Sequence, residues 1–185
     1  RVGEMVPLLE KLSQSRTIGS LWSHQETGNR WTFERDKAVG AWCRAKGVDW
    51  HEPAQGGVVR RLADRNGWAK RFDEVMGAPQ IVAPALAPVS GIEPRQIPTA
   101  LELGIAPDPC PDRQRGGRGL ALPLLGSFLT ERAKPSRRAM SAPEPGAVHC
   151  SRLSPHLAWG TLSLREVTQA TWARQRKMKI SGERG

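Results

Sequence analysis

Apolar residues recur along this chain with two different periods, and the change of period divides it. Met5, Leu8, Leu9 and Leu12 stand at i, i+3, i+4 and i+7, one face of an amphipathic helix with Pro7 in its first turn. Ile18 to Trp22 is a short apolar run that predicts a buried strand. A polar loop follows from His24 to Arg30, with Gly28 and Asn29 as turn formers. Thr32 is then placed to cap a helix running to about Lys46, with Phe33, Val39, Trp42 and Cys43 on its inner face. Gly47 ends that helix, and Val48 to His51 predicts a second strand. Helix, strand, helix, strand in this order predicts an α/β region with parallel strands. Trp68 to Met76 closes it as a further amphipathic helix, so the region is expected to span residues 1–76.

Residues 77–98 predict a linker, punctuated by Pro79, Pro84, Pro88, Pro94 and Pro98. From about Thr99 the pattern turns helical, and residues 99–185 form the second expected region. Gly116 and Gly117 precede an apolar stretch, Leu120 to Leu129, which runs into a basic segment ending near Pro135. Pro123 lies in the first turn of that helix or else kinks it. Two parallel strands are too few for a stable sheet, about three being the usual minimum. The opening strands are therefore expected upstream, as the start at Arg1 rather than Met suggests, and the chain reads as the middle of a larger protein.

Near the end stands the run Cys150-Ser151-Arg152-Leu153-Ser154-Pro155. Ser154 is a favoured helix N-cap, and Pro155 in the first helical position gives up an N–H that would be an orphan anyway. Backbone N–H groups and hydroxyls then converge at the positive end of a helix dipole with Arg152 beside them, an arrangement suited to phosphate. A short helix, His156 to Trp159, is ended by Gly160, and Ser163 with Glu166 spells a capping box for the next. The residues alone leave two readings open: a phosphate cradle, or two well-capped helices with no ligand.

Charge adds a partner class. The 185 residues carry a formal net charge of +10 and have a pI near 10.5, which favours nucleic acid first and an anionic membrane surface second. The excess concentrates at residues 113–118, 132–138 and 174–179 without forming a block of six like charges, so solvated faces account for much of it. No apolar stretch approaches the ~18 residues of a membrane span, and no signal-peptide pattern opens the chain. Cys43, Cys110 and Cys150 are widely spaced and odd in number, which fits free thiols in a reducing cytoplasm rather than a disulfide framework or a zinc site. The four histidines show no paired ligand spacing, and His149 beside Cys150 reads as local packing. Most of the seven tryptophans stand at apolar positions and are expected in the core.

Taken in order, several stretches resemble the DNA photolyase/cryptochrome family. They are Leu21-Trp22-Ser23-His24-Gln25-Glu26-Thr27-Gly28-Asn29, Trp31-Thr32-Phe33-Glu34-Arg35-Asp36 and Gly57-Val58-Val59-Arg60-Arg61-Leu62. Ala106-Pro107-Asp108-Pro109-Cys110, the Gly116-Gly117 helix start and Cys150 to Gly160 complete the set, and the last block is the most specific. The resemblance implies a partial Rossmann-like α/β antenna domain, a long linker and the first helices of an all-α FAD-binding domain. It implies that Cys150, Ser151, Arg152, Leu153 and Ser154 contact the phosphates of FAD. It implies further that UV-damaged DNA is the partner, and that an antenna chromophore of unspecified identity can sit beside the loop after the first strand. The family's activity is the light-driven splitting of pyrimidine dimers, or blue-light reception in its cryptochrome branch, with the chemistry residing in the flavin. One departure stands out: Ser136 occupies the place of a flavin-contacting tyrosine, and the chain has no tyrosine at all. The chain by itself is accordingly expected to bind FAD weakly and to repair nothing. The competing expectations are a non-enzymatic basic module that binds nucleic acid, to which residues 113–119 lend an RGG flavour, and a truncated remnant without activity.

Overall fold

Leu9, on the inner face of helix α1 (Met5–Ser13), is buried at the centre of the core that organises the first half of the chain. In a computed structural model, described for residues 2–87, 89–92 and 96–182, the chain divides into two units. One is Arg1–Arg65 with Ala83–Asp108, the other Asn66–Val82 with Pro109–Gly185. Arg1, Pro88 and Pro94 of the sequence reading, and the last three residues of the polar tail, lie outside the described residues. The fold is mostly helical with one small parallel sheet among the described residues.

In the first unit, α1 is followed by strand β1 (Ser20–Trp22), helix α2 (Arg30–Lys46) and strand β2 (Asp49–His51). The strands pair in parallel, with Leu21 opposite Trp50 and Trp22 opposite His51. Helix α2 starts earlier than the Thr32 cap predicted. Asn29 is the cap: its side chain accepts the Thr32 N–H at 3.1 Å, while the Thr32 hydroxyl donates to the Asn29 carbonyl at 2.8 Å. Gly47 ends the helix in the left-handed conformation at φ 67°. Val39, Trp42, Cys43 and Val48 join Leu9 in the core, whereas Phe33, expected on the inner face, is exposed. The first strand is likewise less buried than expected: with two strands only one face is covered, and Trp22 is 68% exposed, its ring stacked 4.0 Å from that of His51. Glu10 locks α1 to α2 by accepting from the Trp42 indole N–H at 2.7 Å and from Lys46 at 2.8 Å. These two bonds, Lys46 foremost, hold its carboxyl below the usual carboxylate range. Gly40 in mid-α2 has a packing reason, since a Cβ there would lie 2.9 Å from the Trp50 ring.

The second unit contains helices α3 (Trp68–Gly77), α4 (Arg118–Ser127), a π-helical turn (Phe128–Arg132), α5 (Ala133–Ala139), α6 (Pro143–His149), α7 (Ser154–Ala158) and α8 (Leu164–Ser181). Helix α3, expected to close the α/β region at residues 68–76, instead packs on α8. Arg165 donates to the Val75 and Pro79 carbonyls at 3.0 and 3.1 Å, and Gln169 to the Met76 and Ala78 carbonyls at 2.8 Å each. The helical pattern expected from Thr99 yields a single turn, closed by Glu102 accepting from the Thr99 N–H and hydroxyl. Gly104, Pro107, Pro109 and Pro111 then keep the backbone out of helix until Arg118. Pro123 sits in the second turn of α4, and the carbonyl deprived of its donor belongs to exposed Gly119, where water can reach it. Ala121, Leu125, Leu153 and Leu162 form the core. The capping box of α8 is present, with Ser163 and Glu166 each satisfying the other's backbone N–H at 3.1 and 2.8 Å.

Two measurements check this packing. Gly40→Val should lower stability by about 1–3 kcal/mol through overpacking against Trp50, read as a lower urea midpoint. Arg118, hydrogen-bonded at 2.6 Å, and the Ser163 N–H hold the Glu166 carboxyl below the ordinary carboxylate range. A depressed carboxylate stabilises the fold fully above its unfolded value and progressively less as pH falls through the folded one. Stability should therefore decline in acid, below the ordinary glutamate range, and Glu166→Gln should flatten that decline.

Candidate functional site

Helix α6 delivers the chain to Cys150, which is extended at φ −66°, ψ 161°. Arg152 then turns left-handed at φ 60°, a conformation a non-glycine residue holds at a cost of order 1–3 kcal/mol when its surroundings enforce it. Leu153 is already near-helical at φ −88°, ψ −13°, so α7 begins at Ser154 rather than after it. Ser154 is therefore not the N-cap the sequence predicted. Leu153 occupies that position and has no side-chain oxygen to offer, which leaves the first turn of α7 without a side-chain cap.

What enforces the turn is Arg132, at the end of the π-helical turn. Its Nη1 donates to the Cys150 carbonyl, its Nη2 to the Leu124 and Ser151 carbonyls at 2.8 and 3.4 Å, and its Nε to the Ser127 hydroxyl at 3.1 Å. The guanidinium also lies over the Phe128 ring, 5.6 Å from its centroid. On the other side, Gln114 donates to the Arg152 carbonyl at 2.8 Å, and the Arg152 side chain donates to the Ala147 carbonyl at 3.3 Å.

Beside the turn lies a cleft of 340 Å³ lined by Gln114, Arg115, Leu120, Leu124, Arg152 and His156. His156 is 2% exposed, and its Nδ1 lies 2.9 Å from the Thr161 hydroxyl, which in turn donates to the His156 carbonyl at 3.3 Å. The cleft thus combines two cations, an amide and an imidazole over an apolar floor, a composition that suits an anion carrying apolar parts.

Of the five residues singled out from the sequence, only Arg152 lines this cleft. Leu153 is buried in the core with Leu125 and Leu162, so only its backbone could meet a ligand. Cys150 and Ser151 are half-buried, with their carbonyls turned to Arg132, and Ser154 is exposed. Gln114, Arg115 and His156 were not singled out for this site. Their only signal was the basic run around 113–118 and the histidine following Pro155. Ser136 is half-buried, and its hydroxyl donates to the Ala133 carbonyl at 2.8 Å, within its own helix.

The other sequence candidates fall elsewhere. The loop from His24 to Asn29 is bound up in ion pairs: Glu26 accepts the Thr27 and Gly28 N–H groups at 2.9 and 2.7 Å and pairs with Arg35 at 3.2 Å. The Gly28 N–H is the main reason its carboxyl sits below the usual range. Arg60 ties the loop down, donating to the Glu26 carbonyl at 2.8 Å and pairing with Glu52 and Asp36. The tryptophans depart from expectation, since Trp42 is buried but Trp22, Trp31, Trp68 and Trp159 are exposed. All three cysteines are free, and burial pushes the Cys43 thiol up. No group of three or more potential metal ligands occurs among the described residues, and no helix among them is long and apolar enough to cross a membrane.

No protein-family model matches the chain, and no curated protein matches it significantly.

Arg132→Met should destabilise the helical unit by about 1–3 kcal/mol, because partly buried carbonyls lose their donors. Arg132→Lys should recover less than half of that, since an ammonium cannot reproduce the fork. Chemical denaturation of both variants checks this.

Proposed function

We propose that this chain is part of a flavin-dependent, light-driven DNA-repair lyase of the photolyase/cryptochrome kind, and that its Cys150–Ser154 turn holds the phosphates of FAD. The observation that supports this reading is the coincidence of that turn with the adjoining cation-lined cleft. The cleft fits part of the cofactor. At 340 Å³ it lies at the low end of the roughly 300–1,000 Å³ typical of small-molecule sites, which suits a diphosphate with its nearest sugar rather than a whole dinucleotide.

In this reading Arg152 and Arg115 neutralise the diphosphate, and the uncapped first turn of α7 offers N–H donors to it. Arg132 acts behind them by holding the turn in shape. FAD, when bound, supplies the photo-excited electron for dimer splitting. The UV-damaged DNA partner belongs to the same proposal, and the chain alone is expected to hold FAD weakly and to repair no dimers. A second reading, a basic nucleic-acid-binding module without cofactor, draws on Arg176 and Lys179 of α8, which are exposed.

Titration of the chain with FAD, followed by the flavin absorption bands, tests the reading. Arg152→Gly is the informative variant, because glycine takes φ 60° without strain while the charge is lost. It should weaken FAD binding on the order of tenfold, as expected for one charge-assisted hydrogen bond, and leave thermal stability equal or higher. Absence of any flavin complex at high FAD concentration would refute the flavin reading.

A further inference from the structure

Several arginines of the helical unit serve its own architecture: Arg118, Arg132, Arg152, Arg165 and Arg174 direct guanidinium N–H groups at Glu166 or at backbone carbonyls. Arg176, with its neighbour Lys179, does not: neither makes an ion pair among the described residues. Both stand on the face of α8 that also carries Trp172 and Gln175, at i, i+3, i+4 and i+7. Together with Asp73 of α3, these four side chains line an open cleft of 410 Å³.

Cations near a helix C-terminus often do no more than complement the dipole. That accounts for Lys179, which lies in the last turn, but not for Arg176 or for an indole set beside it. Nor does a local acid neutralise the face. On α8 the sole carboxylate is Glu166, already bonded to Arg118, while Arg174, Arg176, Lys177 and Lys179 crowd the second half. Helix α3 is electrically balanced, Lys70 and Arg71 against Asp73 and Glu74, so Asp73 offsets one charge of the cleft and leaves an excess.

We propose that this face of α8, walled by α3, is a binding groove for single-stranded nucleic acid. Arg176 and Lys179 take successive phosphates, Gln175 offers an amide to base or sugar, and an unpaired base stacks on Trp172. A duplex would engage the cations alone, because its bases are already stacked, and so the indole favours a single strand. The groove rests on the DNA-partner part of the function proposed above and is independent of the flavin part.

The test is binding of a fluorescently labelled oligothymidylate to the full chain over a series of salt concentrations, without flavin. Replacing Arg176 and Lys179 together by glutamate should flatten the dependence of log K on log salt by about 0.7 for each phosphate left unneutralised. Trp172→Leu should weaken binding on the order of tenfold with the slope unchanged. The pair Arg30→Glu with Lys37→Glu, two exposed side chains of α2, applies the same charge change elsewhere and should leave the slope as it was. Since Arg176 and Lys179 are exposed, their variant should remain folded and melt only slightly below the parent, by the dipole complementarity lost at the end of α8. If the chain binds the oligonucleotide but the reversed groove keeps the full slope, or the α2 pair flattens it equally, the groove is wrong and the DNA partner stands. If the chain binds no oligonucleotide, or binds phosphatidylserine vesicles instead, both are wrong.

Discussion

A single guanidinium sets the geometry of the helical unit. Arg132 reaches the Leu124 carbonyl in α4, the Val148 carbonyl in α6 and the Cys150 and Ser151 carbonyls beyond it, so two helices and the turn between α6 and α7 share one donor group. Planarity makes this possible, because a fork of fixed N–H directions can serve several acceptors at once. The π-helical turn belongs to the same arrangement, since Arg132 is its last residue and Phe128, at its first, lies beneath the guanidinium. The left-handed Arg152 follows from it. With the carbonyls before it claimed by Arg132 and its own claimed by Gln114, the backbone has little freedom left.

The same logic of shared charge orders the first unit. Glu26, Arg35, Asp36, Glu52 and Arg60 form one network around the loop that follows β1, and it binds that loop to α2 and to the segment after β2. Such a network shapes a loop rather than opening a pocket in it. Positive charge left over from these internal duties therefore gathers in other places, at the cleft beside Arg152 and on the far end of α8. A basic chain can hold many of its arginines for its own architecture, and net charge overstates how many are free to meet a partner.

Features decided within a few residues were legible in the sequence. The capping box of α8, the Gly47 stop, the existence of helix α1 and the parallel strand order all depend on near neighbours or simple alternation, although of the predicted α1 stripe only Leu9 is buried and Met5 is exposed. Misreadings arose where two local signals competed or where distant contacts decided. Asn29 outcompeted Thr32 as a cap because both sit within one turn of the helix start. Ser154 lost its capping role once Arg152 adopted a positive φ, which no local pattern announces. Helix α3 could be read as a helix, but its partner α8 lies some ninety residues away in the chain, bridged by Arg165 and Gln169. Of the candidate site, the turn was legible and the cleft was not, because Gln114 and Arg115 approach it from a segment without regular structure.

The placement of the indoles has an optical consequence. With Trp42 buried, Trp50 and Trp172 half-buried and the other four in water, and with no tyrosine present, ultraviolet emission from the folded chain comes chiefly from hydrated indole. Emission of that kind is already red-shifted before unfolding, so its colour changes little when the chain opens. Trp22 is the exception in kind: stacked on the His51 imidazole, its excited state has a quencher at ring-contact distance that disappears when the two strands part. Brightness, rather than wavelength, is thus the property by which this small sheet makes itself visible.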